Sequence, residues 1–414
     1  MSSNKNSAVN FAAMSKEQKN EYIKKIIANS SVTRHPLDEA RSKNHQYNFW
    51  SKQPCVNNEN DMTLSRPIHE KLEKVEISNE LTEKYKVNMI KLDDDNQMKE
   101  YTRFLEINMI NNNKLINFVH DVNYLKLLLG KKYLILTTKY NDKINGTIMC
   151  SIKNMRVGDK KIEMASVKLI CVKHSQRNKR FFEHLVNLLR NTLVDMNVHY
   201  GMFLTDRYIP IPNSKLDLYY RPLNFHKLYT CDFFKIDDKK NLEKAYNYNK
   251  NKFSLKKKKI DAVRVDESNI DKIYQLYCQY MDKFYLYENM SQKEFTDFAN
   301  ENMTFAMKDQ KDNIVDFYIF GNCSIKHSNI SLKAALLLIY SNNSVEYTPT
   351  NIVEHMSQTA FEKEYDLLLL YNNFESNVCL QEVDGQYLKT GNVSYVNFYN
   401  WKYTKLNQNQ IGFL

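Results

Sequence analysis

Arg177, Asn178, Lys179 and Arg180 pack three cations into a four-residue turn. Before them V-K-L-I-C-V, Val167 to Val172, is rich in β-formers and reads as a buried strand; after them Phe182, Leu185, Val186, Leu189 and Leu193 recur as one apolar helix face. At such a turn the free NH groups of the helix start, the positive end of its dipole and the cationic side chains converge, which suits a polyanion. A solvated charged turn is the alternative reading. Cys171 offers a nucleophile, but a thiol inside a buried strand is inert, because reactivity needs an accessible, stabilised thiolate. The ten histidines show no HxxxH or HExxH spacing and the seven cysteines no CxxC spacing, so no metal is expected.

The elements that must position this turn belong to a chain of 414 residues, beyond the size at which single cores stop growing, so two domains or two fused halves are expected. The composition is globular, with 43% apolar residues and 12% aromatics, and only eight glycines exclude glycine-rich loops as the main binding device. A net charge of +11 suits an acidic partner. The longest basic run, Lys256 to Lys259, reads as a solvated linker, and no tract interleaves cations with aromatics as nucleic-acid binding would require. An odd number of scattered cysteines fits a reduced, cytoplasmic protein. No apolar run has transmembrane length and no signal-peptide core is present.

Residues 1–14 are polar and read as disordered. Ser15 caps a candidate helix, and a second short helix spans 36–42. Y-N-F-W-S-K-Q-P, 47–54, reads as extended, and 57–84 as charged loop. From residue 85 one order of elements occurs twice. V-N-M-I-K-L with Asp93 to Asp95 and an amphipathic run to Met109 gives strand, acidic cap and helix, as do V-R-V, Asp266 to Ser268 and the run from Ile270. Each is followed by a hairpin, a strand, a helix and a last strand, at Tyr200 to Leu204 in the first half and 367–371 in the second. The chain therefore reads as a duplication: an arm at 15–84, halves at 85–240 and 261–414, and a linker at 241–260. Only the first half has a cationic strand-to-helix turn; the equivalent S-N-N-S-V-E-Y-T-P-T-N carries no cation.

This element order resembles the acetyl-CoA-dependent N-acyltransferases, the GNAT-like fold. Two copies of it, with motifs in the right order, look like the glycylpeptide N-tetradecanoyltransferases, or N-myristoyltransferases. The motifs are P-L-D-E-A-R-S-K-N-H-Q-Y-N-F-W-S-K-Q-P; L-I-C-V-K-H-S-Q-R-N-K-R; I-P-I-P with Y-Y-R-P-L-N-F-H-K-L; M-S-Q-K-E-F; S-L-K-A-A; and F-Y-N-W-K. The resemblance implies an α+β fold of two tandem GNAT-like halves related by a pseudo-twofold, with a mixed central sheet flanked by helices.

It also implies site residues. Asn48, Phe49 and Trp50 would contact coenzyme A and the start of the acyl chain, and Arg177, Asn178, Lys179, Arg180, Phe181 and Phe182 would form the phosphate turn. Leu169 and Ile170, followed by Cys171 and Val172, would supply main-chain NH groups to an oxyanion hole. The C-terminal carboxylate, here on Leu414, would be the base, although counting from Trp401 leaves the chain about two residues short of the family pattern. The peptide side departs further: the family's acids fall on Asn111 and Asn113, and other peptide-side positions on Phe118, Leu218, Tyr220 and Asn373. Losing the acids removes Coulomb attraction for lysine-rich peptides.

The implied function is transfer of a myristoyl group from myristoyl-CoA to the N-terminal glycine amine of target proteins. A catalytically weak or silent homologue that binds acyl-CoA or lipidated peptides, with altered peptide specificity, is the alternative. No cofactor is bound permanently on this reading, and myristoyl-CoA is a co-substrate. The partners implied are proteins or peptides with an N-terminal glycine, and ribosomes; neither nucleic acid nor integral membrane association is expected, and the protein is expected to be a cytoplasmic monomer.

Overall fold

A computed structural model describes residues 15, 39, 45, 47–62, 65–109, 115–209, 211–234, 242–255, 261–383 and 385–413. The segment 1–14, the helices expected from Ser15 and at 36–42, and the run Lys256 to Lys259 lie outside these residues, apart from isolated positions.

In chain order the N-terminal part contains β1 (Arg66–Pro67), α1 (Asn79–Lys84), β2 (Lys86–Met89), α2 (Asp95–Asn108), α3 (Val122–Leu129), β3 (Tyr133–Tyr140), β4 (Lys143–Val157), β5 (Lys160–Val172), α4 (Phe181–Asp195), β6 (Tyr200–Thr205), β7 (Ser214–Pro222) and α5 (Phe225–Thr230). After α6 (Leu242–Lys252) come β8 (Ala262–Arg264), α7 (Ile270–Met281), β9 (Leu286–Glu288), α8 (Gln292–Glu301), β10 (Met303–Lys308), β11 (Ile314–His327), β12 (Ile330–Tyr340), α9 (Pro349–Glu362), β13 (Leu367–Tyr371), α10 (Ser376–Glu382), β14 (Leu388–Tyr399), β15 (Trp401–Lys402) and β16 (Ile411–Gly412).

The duplicated order is present. Asp94 caps α2 by accepting from the Gln97 NH at 3.0 Å. The buried face of α2, Met98, Tyr101, Phe104 and Leu105, follows helical spacing and packs with Leu125, Leu129 and Ile135. In the second half Ile270, Ile273, Leu276, Tyr277 and Tyr280 do the same for α7.

Fourteen strands form one mixed sheet, with α-helices packed on both faces. From one edge its order is β2-β3-β4-β5-β6-β14-β7-β13-β12-β11-β10-β8, with β9 on the far end of β4 and β16 beside β9. The two halves exchange strands at the centre: β7 pairs with β13, and β14 pairs with β6. The halves thus share one sheet and the chain end is carried back toward the first half.

Three expectations differ from what is observed. Residues 47–54 do not extend; they turn, with a 3-10 turn at Trp50–Lys52, because Ser51 NH bonds back to the Tyr47 carbonyl while Trp50 stacks inward. The interval 241–260 contains α6, whose Tyr246 packs on Phe225 and Tyr229, so it is docked rather than spanning solvent. The tract 57–84 holds a 3-10 turn at Glu59–Asp61, β1 and α1 among irregular chain.

Where β7 enters the second half, Arg221 is fully buried. Its Nη1 donates to Glu354 Oε1 at 2.5 Å and to the Tyr387 hydroxyl at 3.3 Å, and its guanidinium lies 5.4 Å from the Tyr387 ring centroid. Breaking such a pair strands a charge in low dielectric. Glu354→Ala is expected to destabilise the fold by about 3–5 kcal/mol, read as a lower urea midpoint.

Candidate active site

The site begins with one extra residue. Across β4 and β5, Ile148 faces Ile170, Met149 faces Leu169, and Cys150 faces Val167, so Lys168 is a β-bulge. The parallel pairing of β5 with β6 stops at Val167 opposite Phe203, although β5 runs on to Val172. From Lys168 onward the β6-side edge of β5 has no strand partner among the described residues. Leu169 and Ile170 sit in this splay, where main-chain NH groups can reach a ligand's carbonyl oxygen. Sequence reading misses the slip, because a strand buried on both faces shows no polar alternation from which its register could be read.

Beyond Val172 the chain makes a tight turn into α4. Asn178 and Arg180 have φ of 62° and 57°, and Arg180 caps α4 with no side-chain hydrogen bond. Left-handed residues in such a turn shape a concave set of NH groups, and those of the first helical turn have no intrahelical partner. Asn178, Lys179 and Arg180 are exposed. Arg177 is turned inward instead: its Nε donates to the Val172 carbonyl at 3.2 Å and its Nη2 to the Asn108 carbonyl, tying the end of α2 to the end of β5. Burial lowers its basicity. The exposed cations are therefore Lys179 and Arg180, with Arg177 holding the frame.

Phe181 is buried, edge-on to Tyr85 at 4.9 Å, and Gly146 is required beneath it, since a Cβ there would lie 2.5 Å from its Cε1. Phe182 points the other way, toward Phe49 at 5.8 Å and Trp50 at 6.0 Å. Trp50 stacks on Phe203 at 5.0 Å and 15°. The arm thus closes over the point where β5 and β6 part, with Asn48 exposed on its turn. Phe203, not foreseen from the sequence, is the platform.

The second half repeats the backbone device without the anion site. Ile319 faces Ile339 and Phe320 faces Leu337, making Leu338 the bulge, and the β12–β13 pairing ends at Leu336 opposite Leu369. There Tyr340 and Phe374, on the diverging segments, meet at 6.0 Å. The next helix, α9, caps itself: Thr348 and Asn351 form a capping box with Pro349 at the first helical position. Pro349 has no NH to offer and the Asn351 NH is taken by the Thr348 hydroxyl, whereas Arg180 makes no such side-chain bond at the start of α4.

The residues expected on the peptide side are divided. Phe118 is half-buried and stacked on Tyr124 at 5.0 Å. Leu218 and Tyr220 are buried in the core of the second half, Tyr220 edge-on to Phe233 at 5.5 Å. Asn373 is buried, and its Nδ2 donates to the Phe413 carbonyl at 2.7 Å, so it tethers the chain just before Leu414. Asn111, Asn113 and Leu414 lie outside the described residues.

One splayed, bulged strand, an uncapped cationic helix start beside it and a duplicated half define a class: the fold is that of the GNAT-like acyltransferases in tandem. It matches Saccharomyces cerevisiae N-myristoyltransferase with bound myristoyl-CoA at a TM-score of 0.76 and 15% identity, over 89% of this chain and 99% of that one. The family profile described as "Myristoyl-CoA:protein N-myristoyltransferase, N-terminal domain" matches residues 67–216. The glycylpeptide N-tetradecanoyltransferase of Candida glabrata is 22% identical over 292 residues, 68% of this chain and 64% of that protein. The chain thus aligns with less than two thirds of that relative's length. A probable glycylpeptide N-tetradecanoyltransferase of Caenorhabditis elegans is 22% identical over 91% of this chain and 86% of its own. The chain is thus similar to the glycylpeptide N-tetradecanoyltransferases, at about one residue in five, over most of its length. No helix among the described residues is long and apolar enough to cross a membrane.

Cys171 is buried among Leu169, Ile90 and Tyr101, and burial pushes its thiol up to about 12. At pH 8 it is protonated and shielded. Iodoacetamide is expected to leave Cys171 unmodified in the folded chain and to alkylate it only after denaturation, as peptide mass mapping would report.

Proposed function

We propose that this protein transfers a myristoyl group from myristoyl-CoA to the N-terminal glycine amine of proteins or peptides. The observation that carries the proposal is the asymmetry of the duplication: both halves splay a bulged strand, and only the first continues into an uncapped helix start beside exposed Lys179 and Arg180. In this reading the pyrophosphate of coenzyme A rests on the NH groups at the start of α4, and Phe49, Trp50 and Phe182 cover the pantetheine arm. The thioester carbonyl lies in the splay, where its oxygen accepts from the main-chain NH groups of Leu169 and Ile170. These donors strengthen their bonds as negative charge develops on that oxygen, without any side-chain chemistry.

A thioester is already activated, so the remaining task is to hold a neutral amine near its carbonyl carbon. The family resemblance gives the proton to the Leu414 carboxylate, and the tether from Asn373 to Phe413 supports a chain end held inside the protein. On the peptide side the asparagines at 111 and 113 leave no carboxylate to favour lysine-rich sequences, so peptide choice rests on shape and hydrogen bonds.

Incubating the purified chain with myristoyl-CoA and glycine-initiated peptides is expected to yield N-acylated peptide by mass spectrometry; intact peptide under all conditions sinks the proposal. Lys179→Ala and Arg180→Ala are each expected to weaken myristoyl-CoA binding about tenfold, with reduced salt sensitivity, because each removes a charge-assisted phosphate contact. Calorimetry at two ionic strengths checks this.

A further inference from the structure

The two halves differ at one more corresponding position. Two residues past each bulge the ladders match, Ile148 facing Ile170 in the first half and Tyr318 facing Tyr340 in the second. Two residues earlier on the first strand of each pair stand Gly146 and Asp316. Gly146 still pairs, with Val172, and Phe181 of α4 lies over it so closely that a Cβ would come within 2.5 Å of a ring carbon. The first half therefore has no side chain at this position, and the turn beyond it keeps Asn178, Lys179 and Arg180 exposed.

In the second half the turn converges on Asp316, which is fully buried. Its Oδ1 accepts from the Ser341 hydroxyl at 2.9 Å and from the Asn343 NH at 2.8 Å, and its Oδ2 accepts from the Ser344 NH at 3.3 Å. The Ser341 Oγ accepts in turn from the Phe317 NH at 3.0 Å. Lys283 fastens the same turn, its Nζ donating to the Asn342 carbonyl at 2.7 Å, and the Tyr347 hydroxyl donates to the Lys308 carbonyl at the far end. Successive main-chain NH groups aimed at the two oxygens of one acid are the device by which turns hold anions. Burial lifts the Asp316 carboxyl to about 6, with the Asn343, Ser341 and Ser344 donors and the Lys283 ammonium opposing, so at pH 8 it is a carboxylate.

We propose that Asp316 is a built-in anion: its carboxylate occupies the donors of the second turn from within and locks residues 341–348, so that the second half admits no anionic ligand. The parallel with a coenzyme A phosphate at the first turn rests on the acyl-transfer reading above, and the lock itself does not. A duplicated half that kept the backbone of a donor site with its NH groups unpaired would bury donors without acceptors. Asp316 satisfies them, Tyr340 and Phe374 fill the adjoining splay, and the locked turn delivers the chain to the capped start of α9.

Asp316→Gly gives the second half the residue of the first and leaves a space of carboxylate size, and sodium acetate is the probe. Hydrogen exchange by mass spectrometry and urea unfolding of the full chain at pH 8, with sodium chloride at equal ionic strength as the control, test the proposal. The variant is expected to exchange the amides of 341–348 about tenfold faster than wild type or more, since two NH groups lose a charged acceptor. Acetate, and not chloride, is expected to restore the protection and raise the urea midpoint of the variant, while leaving wild type, whose site is filled, unchanged. Asp316→Asn keeps the shape without the charge, and is expected to exchange faster than wild type with no response to acetate.

Wild-type protection of 341–348 in Asp316→Gly overturns the lock. Faster exchange that acetate and chloride change equally overturns the anion-holding turn. If Asp316→Gly does not fold in chloride, its refolding in acetate supports the proposal. If it folds in neither, Asp316→Asn decides: faster exchange supports the lock and wild-type exchange overturns it. None of these readouts uses acyl transfer, so a chain that leaves peptides unacylated overturns the function proposed above without touching this inference.

Discussion

A single inserted residue in β5 sets the chemistry of this molecule apart from its packing. A strand paired along both edges would spend all its main-chain NH groups on its neighbours and leave no donor for a ligand. The bulge at Lys168 re-aims the strand just as its pairing with β6 ends, so β5 and β6 diverge with an open edge between them. An open edge is a liability unless covered. The cover is the arm, through Trp50 on Phe203 and Phe49 on Phe182, and the coenzyme A reading gives the uncovered donors their occupant.

The duplication turns this device into a controlled comparison within one chain. Both halves carry a bulge and a splay, so the backbone geometry of the strands by itself does not distinguish them. The difference lies in the helix that each splayed strand leads into. Thr348, Pro349 and Asn351 close the start of α9 on itself, and Tyr340 and Phe374 fill the second splay with rings. At α4 the cap is a left-handed Arg180 that gives nothing back to the helix, and the donors remain available. Strand exchange then places β14 beside β6 and carries the chain end to the face opposite α4, where Asn373 holds Phe413. The second half thereby serves as the wall and anchor of the first.

Much of this is legible from residue order. Asp94 ahead of an amphipathic run, Ser291 with Glu294, and Thr348-Pro349 are local signals whose hydrogen bonds close within one helical turn, and each helix begins where its cap stands. The cationic turn is legible for the same reason. Less legible are segments whose conformation depends on a distant partner. Y-N-F-W has strand-like composition but turns because Phe203 offers Trp50 a platform 153 positions away in sequence (203 − 50). The interval 241–260 has the composition of a charged linker, yet α6 forms because Phe225 and Tyr229 take up Tyr246. Arg177 reads as an anion ligand beside its neighbours, and the carbonyls of Val172 and Asn108, the latter from another element, turn it inward.

The sequence by itself determined the duplication, several helix starts, which half carries the cationic turn and the family resemblance, because these are written in short-range patterns and in the order of motifs. Tertiary structure alone decided which strand slips, which edge opens, and which side chains face each other across the sheet. A strand buried on both faces carries no alternation to betray its register, and pairing between strands far apart in the chain is set by how both halves pack. The bulge at Lys168 and the tether on Phe413 are products of that packing.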